Sequence, residues 1–298
     1  MNSPPKIDTS LAHRLISLQF PTWKDLPIDP ILPGGWDNRS FRLGEKMLIR
    51  MPSATHYAGQ VEKEHYWLPK LAPLLPLRIP EPLALGKPGE GYPWQWSIYR
   101  WIEGETAAAI APQIDRNDFA VRLAQFLKAL HSIDPTGGPS PGPHNFYRGG
   151  ALTTYEAETR QAIEALKNRL NSGIATEIWE AALKTTWYRA PVWVHGDISA
   201  GNLITLQGQL HAVIDFGQLG IGDPACDLSI AWTFFTGKSR DLFRENLSLD
   251  AGTWARGRAW TLWKALIYLT KGQANLNFEA KRAWQTLDEL ITDHKALL

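Results

Sequence analysis

The spacing of hydrophobic positions changes along the chain, and the change divides it in two. Near the start, Leu11, Leu15 and Ile16 recur at helical spacing behind Thr9, which stands where a capping residue belongs. Residues 40–43 and 46–51 then read as two strands joined through Gly44, a hairpin. After the breaker Pro52, residues 60–71 return to a helical pattern, with Pro69 placed to kink or stop it. Residues 95–102, rich in aromatic and β-branched side chains, read as a further strand. The order helix, strands, helix, strand describes a small α+β unit over residues 1–102.

Beyond Gly104 the helical period takes over. Residues 118–131 set Phe119, Leu123, Phe126, Leu127 and Leu130 on one face. A Pro/Gly-rich loop covers 135–143, and helices are predicted over 154–170 and 176–184. Three short apolar runs follow at 192–194, 203–206 and 210–214, separated by polar and glycine-bearing turns. From Asp227 onward the pattern is mostly helical. Residues 103–298 are therefore expected to form a second, larger and mostly helical domain.

Composition narrows the function. The chain has 298 residues, and 31 basic side chains nearly cancel 30 acidic ones, leaving a net charge of +1. No broad field draws it to nucleic acid or an anionic membrane. The opening MNSPPKIDTS lacks the basic and apolar regions of a secretory signal, and no apolar run approaches the roughly 20 residues of a membrane span. The single cysteine, Cys226, excludes an internal disulfide framework and a Cys-rich zinc site. A cytoplasmic protein is the expectation. The 14 tryptophans read as a large aromatic core before they read as ligand walls.

The candidate chemistry lies in two blocks where short strands give way to loops. The first is His195-Gly196-Asp197-Ile198-Ser199-Ala200-Gly201-Asn202, and the second is Asp215-Phe216-Gly217. Phosphoryl transfer needs oxygen ligands for magnesium and a carboxylate facing the incoming hydroxyl. Asp197, Asn202 and Asp215 supply that set. The run from Gly217 to Asp227 fits G-x-x-G-x-x-D-x-x-x-D.

Together these blocks resemble the aminoglycoside phosphotransferase family, small-molecule relatives of the protein kinases. The resemblance implies an α+β, protein-kinase-like two-lobe fold. A small N-terminal antiparallel-sheet lobe (1–102) would bind nucleotide, and a larger helical lobe (103–298) would carry catalysis and the acceptor. It implies Asp197 as catalytic base, and Asn202 and Asp215 as ligands of Mg2+. His195 would brace the catalytic loop, and Asp227 would support that loop through its backbone. ATP or GTP would be the phosphate donor. Cys226 reads as a packed residue, not a nucleophile.

The N-terminal unit completes the nucleotide site. Arg50 stands on its strand where kinases place a phosphate-gripping lysine, and Glu64 is its expected partner, with Glu62 as a rival. The stretch 33–38 occupies the position of the phosphate-covering loop, with Gly35 and Asn38 as backbone candidates. The strand ending at Arg100 and Ile102 resembles the family hinge, where main-chain groups would meet the purine. Only four residues separate Gly217 from Gly222 and no A-P-E follows, so there is little room for a phosphorylated, peptide-docking activation segment. The expected acceptor is a small-molecule hydroxyl, with an aminoglycoside-type antibiotic first. A macrolide, choline, homoserine or a sugar-like metabolite is the alternative, as is a binding module without turnover. A polycationic acceptor calls for carboxylates, for which Asp241, Glu245 and Asp250 are candidates. Trp232, Trp254, Trp260 and Trp263, interleaved with Arg256, Arg258 and Lys264, would favour a less cationic one if they lined the pocket.

Overall fold

Asp8, not Thr9, starts the first helix: its Oδ1 accepts from the Leu11 N–H at 2.9 Å, and Thr9 is already the first residue of α1 (Thr9–Gln19). The computed structural model describes residues 6–32, 34–35, 37–271 and 277–297. Pro33 and Trp36 of the loop 33–38, the first five residues and Leu298 lie outside them.

Helix α1 buries Leu11, Ala12, Leu15 and Ile16 in a core shared with Ile28, Phe41, Ile49, Trp96 and Ile98. Those partners come from a five-stranded antiparallel sheet of β1 (Ile28–Pro30), β2 (Asn38–Leu43), β3 (Met47–Pro52), β4 (Pro82–Gly86) and β5 (Trp96–Arg100). The strand order is β1-β2-β3-β5-β4. The predicted hairpin is β2–β3, with Ser40 opposite Arg50. Between β3 and β4 runs α2 (Thr55–Leu71), which begins five residues before the predicted helix. Pro69 does not stop it early. Lying in the last turn, its missing N–H removes only one bond near an end that closes two residues later.

The chain divides into two units: Met1–Glu105 with Ile204–Gln207 and His211–Gly217, and the remainder. Short β6 (Glu105–Thr106) precedes α3 (Arg116–Ser132), whose N-terminal N–H groups at Asn117 and Asp118 are capped by Asp115. The helix predicted over 154–170 is interrupted. α4 (Glu156–Ala165) ends in a turn, and α5 (Ser172–Leu183) starts afresh where Asn171 Oδ1 accepts from the Ile174 N–H. Strands β7 (Val192–Val194), β8 (Leu203–Leu206), β9 (Gln209–Val213) and β10 (Gly220–Gly222) follow, with β10 antiparallel to β7. Helices α6 (Ile230–Thr233), α7 (Gly237–Leu247), α8 (Ala251–Lys271) and α9 (Asn277–Lys295) complete the second unit.

Within that unit α8 packs on α4, α5, α9 and the 3-10 segment Pro224–Ser229. Trp232, Trp254, Trp260 and Trp263 are buried, so the late tryptophans are core. Arg256 and Arg258 are buried as well: Arg256 pairs with Asp223 at 2.5 Å and Arg258 with Asp293 at 2.7 Å. Among the described residues no helix is long and apolar enough to cross a membrane.

Candidate active site

In the first unit three carboxylates converge on one guanidinium. The Arg50 Nη2 donates to Asp215 Oδ1 at 2.8 Å, Nη1 lies 3.3 Å from Glu64 Oε1, and Nη2 lies 3.7 Å from Asp37 Oδ2. Glu64, 3% exposed, also accepts from the Tyr99 hydroxyl, whereas Glu62 is exposed on the same helix; Glu64 is the partner. Burial opposes the charge on Arg50, but Glu64 and Asp215 outweigh it and hold the guanidinium protonated beyond its usual range. Burial and the neighbouring Asp215 raise the Asp37 carboxyl. Asp215 sits at φ 68°, a left-handed conformation that aspartate tolerates better than most residues. Two residues on, the Gly217 carbonyl accepts from Lys63 Nζ of α2 at 2.7 Å.

The second unit holds the loop after β7. Asp227 is fully buried; its Oδ2 accepts from the His195 N–H at 2.8 Å and its Oδ1 from the Gly196 N–H at 2.7 Å. Burial raises the Asp227 carboxyl, against the pull of His195 and those two N–H donors. His195, fully buried, accepts the Asp197 N–H at its Nδ1, at 3.1 Å. Gly196 has φ +86°, and a Cβ there would meet the Gln218 carbonyl oxygen at 2.7 Å, so the turn that presents Asp197 requires glycine. Arg148 clamps the same turn, its Nε 3.0 Å from both the Gly196 carbonyl and Gln218 Oε1.

Both oxygens of Asp197 have donors. Asn202 Nδ2 lies 3.2 Å from Oδ2 and 2.9 Å from the Asp197 carbonyl, and Lys264 Nζ lies 3.0 Å from Oδ1. Burial disfavours the ionised carboxyl, but Lys264, with Arg148 and His195, more than offsets it and brings the pKa below the usual carboxylate value.

The remaining candidates are placed less centrally. The Arg100 N–H donates to the Glu81 carbonyl and its exposed guanidinium to the Glu81 carboxylate, so neither is free for a purine. Ile102 makes no backbone hydrogen bond among the described residues, which leaves its main chain open to a ligand. The Gly35 carbonyl accepts from Arg39, and Asn38 is buried at the start of β2. Asp241, Glu245 and Asp250 are exposed, and Asp250 caps α8 through the Thr253 N–H and hydroxyl. Cys226 is buried, and burial pushes its thiol well up. Sequence reasoning missed Asp37, Tyr99 and Arg148 and gave Lys264 no link to Asp197. Arg148 and Lys264 lie outside every local motif, whereas Asp37 sits inside the stretch 33–38.

Comparison with known proteins places this pair of units. The model of the phosphotransferase enzyme family, APH, matches residues 30–260, and the chain belongs to that family. Over 145 residues it is 30% identical to an aminoglycoside 3'-phosphotransferase of Escherichia coli, covering 46% of this chain and 51% of that protein. The chain thus spans about half the length of that curated relative. Among solved structures, the GDP complex of wild-type aminoglycoside 2'-phosphotransferase-IIIa aligns with a TM-score of 0.70 at 17% identity, over 98% of this chain and 100% of that one. Macrolide 2'-phosphotransferase type I aligns at 0.62 and 18% identity, over 97% and 99%. At such identities the likeness is one of fold, and it bears out the expected kinase-like α+β class.

Proposed function

We propose that this protein transfers the γ-phosphate of ATP or GTP to a hydroxyl of a small molecule, an aminoglycoside-type antibiotic being the first acceptor class to test. The observation that carries the reading is the held carboxylate of Asp197, on a turn fixed by Asp227, Gly196 and Arg148. In this reading Asp197 orients the acceptor hydroxyl and takes its proton as the new O–P bond forms. The bond from the γ-phosphorus to the bridging oxygen breaks, and the nucleoside diphosphate leaves. Ionised and hydrogen-bonded, Asp197 contributes mainly by alignment, as suits this chemistry.

Residues 1–102, extended by Asp215, serve as the nucleotide-binding lobe, with Arg50 at the phosphates and Glu64 as its ion-pair partner. The main chain of Gly35, Asn38 and Ile102 contributes to the donor site. Residues 103–298 carry the base and the acceptor. Asn202 and Asp215 are oxygen donors of the kind magnesium prefers. Among the described residues no three carboxylate, imidazole or thiol groups form a metal cage. That fits an ion that completes its shell with phosphate and water. Bound there, magnesium would neutralise phosphate charge. A cytoplasmic setting, with its nucleoside triphosphates, follows from the same reading, as does the absence of a nucleic-acid or membrane partner.

One observation favours a second acceptor class. Lys264 already places a cation on Asp197. A less cationic hydroxyl compound, such as a macrolide, homoserine or a sugar-like metabolite, suits that charge better.

The test is release of nucleoside diphosphate with magnesium and ATP or GTP across these acceptors, alongside Asp197→Asn. Acceptor-dependent release that falls by about a hundredfold or more in the variant is expected. Release unchanged by the variant would remove Asp197 from its role. Nucleotide binding without release would favour a binding module.

A further inference from the structure

Lys264 lies on α8, 67 residues from the carboxylate it touches. The contact is no casual surface pair. Its side chains are 26% and 33% exposed, and the backbone beneath each is fixed by close packing. On one side, a Cβ at Gly257 would lie 2.8 Å from Leu228 Cβ, so α8 rests directly on the segment Pro224–Ser229. That segment carries Asp227, which holds the His195 and Gly196 N–H groups. Lys264 follows Gly257 by seven residues, two helical turns, and so projects from the same face. One helix face therefore presses on the brace of the loop and also delivers an ammonium to its aspartate.

A carboxylate has about four lone-pair positions on two oxygens. Asn202 takes one on Oδ2 and Lys264 one on Oδ1, which fixes the plane of the group and leaves acceptor capacity on each oxygen. Arg148 and His195 are the other charged or titratable groups acting on Asp197, but both engage the loop around Gly196.

We infer that Lys264 is a positioning residue for phosphoryl transfer: its ammonium holds the Asp197 carboxylate in the orientation that meets the acceptor hydroxyl. The inference rests on the phosphotransferase reading above.

The experiment uses Lys264→Met, Lys264→Arg and each combined with Asp197→Asn, assayed with the acceptor that wild type turns over. Lys264→Met should lower kcat at least tenfold with the nucleotide Kd and the Tm unchanged, and Lys264→Arg should restore part of the loss. In the Asp197→Asn background, read under single turnover, Lys264→Met should cost less than twofold, because the group it positions is gone. A wild-type kcat in Lys264→Met would overturn the inference. So would an equal fold-loss in both backgrounds, or a loss that tracks a fall in Tm without rescue by arginine. Absence of transfer in wild type would overturn the phosphotransferase reading and the inference with it. Transfer that depends on Asp197 but not on Lys264 would overturn the inference alone.

Discussion

Arg50 donates to Asp215 Oδ1 at 2.8 Å while its other terminal nitrogen faces Glu64, so one guanidinium spans two acidic groups from distant parts of the chain. A lysine has a single nitrogen and cannot hold both in the same way. Arg50→Lys is therefore expected to keep the charge but lower stability by about 1–2 kcal/mol, one charge-assisted hydrogen bond. Arg50→Met leaves Glu64 buried against Tyr99 without a cation, and should cost about 3–5 kcal/mol. Denaturant midpoints at constant slope check both values. A wild-type midpoint for Arg50→Lys would show that charge alone matters, and equal midpoints for the two variants that the fork does.

Asp227 is the strongest test of how the loop is held. Asparagine keeps the shape but offers one carbonyl oxygen, and its NH2 group would face a backbone N–H. One of the His195 and Gly196 donors loses its partner in a fully buried position. Asp227→Asn is expected to destabilise by about 2–3 kcal/mol. Loop disorder should then cut phosphate transfer more than it weakens nucleotide binding. A calorimetric titration with nucleotide beside a turnover assay separates the two.

Much of this was legible because it is local. The block from His195 to Asn202 closes on itself within eight residues, so the type and order of side chains already describe the turn. The hairpin β2–β3 shows in its alternation and in Gly44. Arg148 escaped notice, and Lys264 was not linked to Asp197, because they reach the loop from 48 and 67 residues away, by tertiary packing that no local pattern records. Asp37 escaped for a different reason, since its turn-forming neighbours masked an acid directed at Arg50. Arg100 shows the same limit: its place at the strand end says nothing of Glu81, which takes its N–H and its side chain.

His131 should make the second unit acid-sensitive. Its Nε2 is out of solvent without a hydrogen-bond partner among the described residues, and burial lowers its pKa to about 4. The unfolded chain, with a pKa near 6.5, takes up the proton first. Stability is thus fully present above about pH 6.5 and lost as pH falls towards 4, by up to about 3 kcal/mol. Denaturation of His131→Leu should lack that part of the slope. A variant with the same pH dependence as wild type between pH 6.5 and 4 would assign the acid loss to other groups.

Arg256 separates a structural cation from a ligand-binding one. It holds Asp223 at 2.5 Å with both side chains under 10% exposed, and it also bonds the Thr185 and Thr253 hydroxyls. Burial raises the Asp223 carboxyl and Arg256 works against that rise, so removing the arginine lets the pKa climb further. Arg256→Met should destabilise by about 3–5 kcal/mol near neutral pH, because a buried carboxylate is left without its partner. Asp223 then binds a proton more tightly folded than unfolded, so the variant should regain stability as pH falls towards 5. Its deficit against wild type is expected to be smaller at pH 5 than at pH 8. KM for nucleotide and acceptor should stay within about twofold, since each polar partner of this guanidinium is internal. A large rise in the acceptor KM with little loss of stability would instead put Arg256 at the substrate.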